Sequence, residues 1–120
     1  MLCVPIAPES RTLAKADLLN AARAADIVEL GLARFLNPPD VAELLNGITK
    51  PVIVSCRRKK DGGNFAGSEE QRLALLQEAI AAEPAFVEVE PDIAARMPRT
   101  AKTRRRVGIN RPFRAITDAD

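Results

Sequence analysis

The sequence predicts an α/β fold, with parallel βαβ units forming the N-terminal half of a (β/α)8 barrel. Three observations point there. Short, nearly continuous apolar runs recur about every 25 to 30 residues, as strands of a parallel sheet do. Between them lie stretches whose Ala, Leu, Val and Ile residues repeat at helical spacing. The chain has 120 residues, room for five strands at most, where a complete barrel typically needs about 250 residues.

The elements follow in order. Residues 2–7 (LCVPIA) read as a strand. A helix is expected over 12–25, with Leu13, Ala16, Leu18, Ala21, Ala22 and Ala25 on its apolar side. Residues 26–32 (DIVELGL) read as the second strand. Pro38, Pro39 and Asp40 open a helix, Asp40 and Glu43 form a cap pattern, and Gly47 marks the end. Residues 51–56 (PVIVSC) are the clearest strand. Ser68 and Gln71 form a second capping pattern, and Leu73, Leu76, Ala79 and Ile80 supply the buried stripe of a helix ended by Pro84. Residues 85–90 (AFVEVE) read as the fourth strand. This order suits a parallel sheet covered on both faces, either an open doubly wound sheet or a barrel. The first strand–helix turn, PIAPES, holds no glycine, where a dinucleotide-binding fold wants G-x-G-x-x-G.

Composition narrows the function. The formal net charge is +2, so no chain-wide field points to nucleic acid. There is no His, the side chain most often used for acid–base work near neutral pH. Cys3 and Cys56 are too few for a disulfide framework and are expected to be buried, reduced and inert. The N-terminus lacks the basic start and apolar length of a signal peptide, and nothing approaches a membrane span, so a cytoplasmic location is expected.

In parallel α/β folds the chemistry sits at the carboxyl ends of the strands. Glu29 lies inside the second apolar strand, Arg57 directly follows the third, and Glu88 and Glu90 alternate with valines in the fourth, pointing to one face. A carboxylate in an apolar strand is costly unless paired. These residues therefore suggest a polar cluster in a barrel mouth; the plainer alternative is a solvated face of an edge strand for Glu88 and Glu90. In "CRRKKDGGNFAGSEEQ" (56–71), Arg57 points inward, Arg58, Lys59 and Lys60 are expected as solvated loop charges, and Gly62 and Gly63 permit positive φ. No Lys-Ser/Thr follows the glycines, so the loop is not a P-loop.

The runs "VELGLARF", "KPVIVSCRRKKDGGNFAGSEEQRLALLQEAI" and "FVEVEPDIAARMPRTAKTRR" resemble the type I 3-dehydroquinate dehydratases, shikimate-pathway lyases built on a (β/α)8 barrel. The resemblance covers residues 1 to about 105, leaving 106–120 as a divergent tail. It implies 3-dehydroquinate as a small-molecule substrate and no cofactor or metal. It further implies that Glu29 and Arg57 contact the substrate's polar groups, that Asp61 stands where the family has an acid orienting the catalytic histidine, and that Glu88 is the strand-four acid near that histidine.

Three departures accompany the resemblance. The family's E-L-R-x-D reads E-L-G-L-A, with Gly31 and Ala33 in place of Arg and Asp. Asn110 falls near the position of the family's histidine. The Schiff-base lysine of the family's sixth strand has no equivalent among Lys15, Lys50, Lys59, Lys60 and Lys102. The resemblance thus implies no catalytic residue on this chain, whose expected role is that of a truncated dehydratase, inactive alone. The alternative is a non-catalytic binding protein derived from half a barrel. A nucleic-acid role rests only on the basic segment 96–114, where Phe113 is the single aromatic, and is disfavoured. Open strand edges make self-association, as a homo-oligomer, an expectation.

Overall fold

The computed structural model describes residues 2–98 and 103–107. Five strands, β1 (Cys3–Ile6), β2 (Ile27–Gly31), β3 (Val52–Ser55), β4 (Phe86–Val89) and β5 (Arg104–Val107), alternate with helices α1 (Arg11–Ala24), α2 (Val41–Leu45) and α3 (Glu69–Ala81) as far as β4. All neighbouring strands are parallel, in the spatial order β1-β2-β3-β4-β5. A doubly wound sheet would reverse direction at a switch point. Here each crossover steps the same way, which is how a (β/α)8 barrel begins.

Local chemistry sets the helix ends. Ser10 caps α1, its hydroxyl accepting from the Leu13 amide at 3.3 Å. The Asp40 carboxylate caps α2 by accepting from the Glu43 amide at 3.2 Å. Lys15 reaches across from α1 and donates to the carbonyls of Glu43, Leu44 and Asn46, placing a positive charge at the end of α2 where the dipole favours it. Ser68 and Gln71 close a full capping box on α3: Ser68 Oγ accepts from the Gln71 amide at 3.2 Å and Gln71 Oε1 from the Ser68 amide at 2.9 Å. Glu83, at φ 55°, then turns the chain before Pro84.

The register assigns the two faces of the sheet. Val4, Val28 and Val52 align across three strands, as do Ile6, Leu30, Val54 and Val87 across four. Val28, Leu30, Val52, Val54, Val87 and Val89 are buried in one core with Leu18 of α1, Leu44 of α2 and Leu76 and Ile80 of α3. The alternate positions, including Cys3, Pro5, Ile27, Glu29, Ile53, Ser55, Phe86 and Glu88, form the other face. Ile53 is buried yet lies outside the helix-side core.

Several expectations are corrected. Of the two faces expected to be covered, the described helices cover one, because the unidirectional winding leaves the inner face for a barrel interior. Leu18 and Ala25 are buried as expected, but Leu13 is 55% exposed and Ala16 is exposed, and Ala14 takes the buried place one residue after Leu13. Cys3 is half-buried, on the inner face near the β1 edge, while Cys56 is buried. Gly62 adopts positive φ, but Gly63 does not. A Cβ at Gly63 would stand 2.2 Å from the Arg57 carbonyl oxygen, so close backbone approach is what glycine provides there.

Candidate functional site

Two consecutive arginines at the end of β3 turn to opposite sides and organise two groups of acids. Arg57 faces the inner side of the sheet. Its Nε donates to Glu88 Oε2 at 2.8 Å and its Nη2 to Glu88 Oε1 at 3.1 Å, a bidentate pair. The same Nη2 lies 3.5 Å from Glu29 Oε2. Both carboxylates are nearly enclosed, whereas the guanidinium side chain is 34% exposed and open to a ligand. The hydrogen bond to Glu88 raises the Arg57 pKa despite the opposing effect of burial. Glu29, Arg57 and Glu88 therefore meet as the strand pattern anticipates.

Asp61 is placed elsewhere. It closes the 3₁₀ turn Lys59–Asp61 and accepts from Arg58 Nε at 2.5 Å. Arg58 also makes a bidentate pair with Asp92, at 2.8 and 3.1 Å, and reaches Glu69 at 3.4 Å and Glu90 at 3.9 Å. Its side chain is only 14% exposed, which corrects the expectation of a solvated loop charge. The reason is the tight turn, which folds Arg58 back against acids supplied by α3 and by the segment after β4. Lys59 and Lys60 are exposed as expected. The Arg58 hydrogen bond brings the Asp92 carboxyl down to about 2.

Arg72, on α3, has no exposed side-chain surface. Its Nε and Nη2 donate to Glu69 at 2.8 and 2.9 Å, and its Nη1 donates to the Cys56 carbonyl at 2.8 Å. Glu90 Oε1 lies 2.7 Å from Arg72 Nη2, an ion pair off the hydrogen-bond axis. Burial works to lower the Arg72 pKa, but the pairs with Glu69 and Glu90 outweigh it and raise it. Glu88 and Glu90 thus have different partners, Arg57 and Arg72. Burial also pushes the Cys56 thiol up to about 12, so it stays protonated at neutral pH.

Arg72 is the residue that stripe reasoning passes over. It stands four residues before Leu76 and eight before Ile80, on the buried side of the helix. An arginine on such a stripe requires buried acids opposite it, and Glu90 in its apolar context is the available signal.

Chemically, the Arg57 cluster offers guanidinium donors and carboxylate acceptors to hydroxyl and carbonyl groups. The described lysines serve other places: Lys15 closes α2, Lys50 donates to the Ala25 carbonyl at 3.0 Å, and Lys59 and Lys60 belong to the exposed turn. Asn110 and Lys102 lie outside the described residues.

A one-way parallel βαβ array, with acids and an arginine grouped at strand ends, defines an α/β protein of the (β/α)8-barrel class. Comparison with known proteins makes the assignment specific. Residues 2–110 match the type I 3-dehydroquinase family, and the chain belongs to it. It is 40% identical over 96 residues to the 3-dehydroquinate dehydratase of Methanothermobacter thermautotrophicus, covering 74% of this chain and 41% of that protein. With the enzyme of Desulfotalea psychrophila it shares 36% identity over 66 residues, 55% of this chain and 29% of that protein. The crystal structure of the 3-dehydroquinate dehydratase from Aquifex aeolicus superposes with a TM-score of 0.58 at 23% identity, over 77% of this chain and 42% of that one, a likeness of fold. The matches thus span less than half the length of these relatives. Among the described residues no helix is long and apolar enough to cross a membrane.

Proposed function

We propose that these residues form the N-terminal barrel portion of a type I 3-dehydroquinate dehydratase and supply part of its substrate site, with Glu29 and Arg57 contacting polar groups of 3-dehydroquinate. The observation that carries this reading is the Arg57 guanidinium, paired with Glu29 and Glu88 yet a third exposed on the inner face of the sheet. The family reaction removes water from 3-dehydroquinate to give 3-dehydroshikimate. A lysine amine forms an imine with the substrate ketone, which acidifies the neighbouring C–H. A histidine takes that proton and helps the hydroxyl leave as water. This chain contains no His. Glu88 supports Arg57 in this reading, and Asp61 acts at one remove, through Arg58.

Binding by Glu29 and Arg57 does not by itself lower the barrier to proton removal. The 120 residues alone are therefore expected to bind 3-dehydroquinate weakly and not to dehydrate it. Titration with 3-dehydroquinate, followed by side-chain NMR, should perturb the Arg57 Nε–Hε signal. Borohydride added to the mixture should leave the protein mass unchanged. An unperturbed Arg57 would remove the binding reading, and a reduced adduct on any lysine would overturn the expected inactivity.

A further inference from the structure

We propose that Arg72 is a positioning residue for the Arg57–Glu88 pair, acting as a buried cross-brace between the ends of β3 and β4. The first observation is what its guanidinium touches. Nη1 holds the carbonyl of Cys56, the residue immediately before Arg57. Nη2 lies 2.7 Å from the carboxylate of Glu90, two residues after Glu88. A single planar group, with its five donors in a fixed fork, thus ties down the chain on both sides of the pair.

The second observation is independent and concerns the sheet. The β1–β2, β2–β3 and β4–β5 ladders each register four residue pairs. The β3–β4 ladder registers two, Ile53 with Phe86 and Val54 with Val87, and stops before Arg57 and Glu88 are reached. The strand ends that carry the pair therefore lack the ladder that holds their neighbours together. Arg72 bridges the segments just beyond it. Glu69, one turn earlier on α3, fixes the guanidinium through two hydrogen bonds, so the brace is anchored in a capped helix.

The brace also sorts charge. Glu90 contributes to the field at Arg57. Drawing Glu90 to Arg72 leaves the bidentate contact of Arg57 to Glu88. Without Arg72, a buried Glu90 carboxylate would need another cation. Arg58 already lies 3.9 Å from Glu90.

The inference rests on the proposed function only for what the pair is used for. Its test needs no ligand, so failure of either is read separately. The probe is the hydrogen exchange of the Arg57 Nε–Hε group, slowed by its bond to Glu88. The double variant Arg72→Met/Glu90→Met removes both buried charges while keeping apolar bulk. It should unfold cooperatively and exchange the Arg57 Nε proton faster by about tenfold or more, the loss expected when a charge-assisted hydrogen bond is released. Arg72→Lys, which keeps charge but loses the fork, should fall between the two. Exchange as slow as in the unaltered protein, in a folded double variant, overturns the proposal. If the double variant does not fold, the unaltered protein decides: the Arg57 and Arg72 Nε protons should exchange through one opening with matching protection. An Arg57 proton exchanging about tenfold faster or more than that of Arg72 overturns it as well.

Discussion

At Arg57 the energetic stake lies in the acids that depend on it. Glu29 and Glu88 are almost enclosed, and truncating Arg57 leaves two neighbouring carboxylates without their shared cation. Breaking a buried pair in this way costs about 3–5 kcal/mol. The guanidinium is a third exposed, so Arg57→Met is expected at the lower end, about 3 kcal/mol, read from the urea midpoint at neutral pH. A change under about 1 kcal/mol would mean that water already shares the pair. The two cysteines give a second expectation at this scale. Cys56 is buried with its thiol pushed up to about 12, whereas Cys3 is half-buried. Iodoacetamide at mildly alkaline pH should label Cys3 first and Cys56 only on unfolding, as peptide mapping by mass spectrometry would show. Early labelling of Cys56 would contradict its burial.

At the scale of elements, the turn after β3 depends on Gly63 and on the acids around Arg58. Gly63→Ala would drive a Cβ into the Arg57 carbonyl oxygen, an overpacking with no flexible side chain to yield, and should cost about 3 kcal/mol in chemical unfolding. Acid should loosen the same region. The folded-state pKa of Asp92 lies at about 2, below its ordinary 3.8, chiefly through the Arg58 hydrogen bond; that of Glu69 is lowered from 4.5 chiefly by Arg72. A depressed folded pKa means the unfolded chain binds the proton more tightly. The stabilisation is present above these ordinary values and is lost as pH falls toward about 2. Asp92 is more than half exposed, so solvent screens its share. Asp92→Asn should therefore show a smaller loss of stability on acidification than the unaltered protein, and identical pH profiles would exclude the Arg58–Asp92 clamp as a contributor. These elements also show what a sequence reading reaches. The capping box of α3 is a contact between residues three apart, and β3 is a continuous apolar run, so both are legible locally. The Arg57–Glu88 pair spans 31 positions and was inferable only because a parallel fold sends strand ends to one place. The burial of Arg58 is not legible locally, because Asp92, its bidentate partner, lies 34 residues away on a segment without regular pattern. The exposure of Leu13 is not legible either, because an alanine-rich helix leaves the direction of its buried stripe poorly marked, and Ala14 takes the buried position.

At the scale of the whole molecule, the face assignment changes what the uncovered side of the sheet costs. If Val4, Val28, Val52, Val54 and Val87 faced the inner side of the sheet, the absence of described helices there would deprive them of packing partners. The register instead places all five toward the helices, and all but the half-buried Val4 are buried there. Each such side chain contributes about 1.5–3 kcal/mol when fully buried, so the helix-side layer can hold the chain together without a covered inner face. A cooperative thermal transition in the ordinary mesophile range of about 45–65 °C is therefore expected. The inner face is a different matter. Pro5 is exposed, Ile27 and Phe86 are half-buried, and β1 has a sheet neighbour, β2, on one side only among the described strands. An unpaired parallel edge beside apolar surface is a template for a second chain. The folded protein should thus associate with itself through this side, and sedimentation velocity should show the mean sedimentation coefficient rising with protein concentration. Ile27→Lys, which puts a charge on the inner face away from the helix-side core, should suppress that rise while leaving the thermal transition cooperative. A concentration-independent monomer would show that the inner face and the β1 edge are already closed within one chain. Association unchanged by Ile27→Lys would place the contact elsewhere.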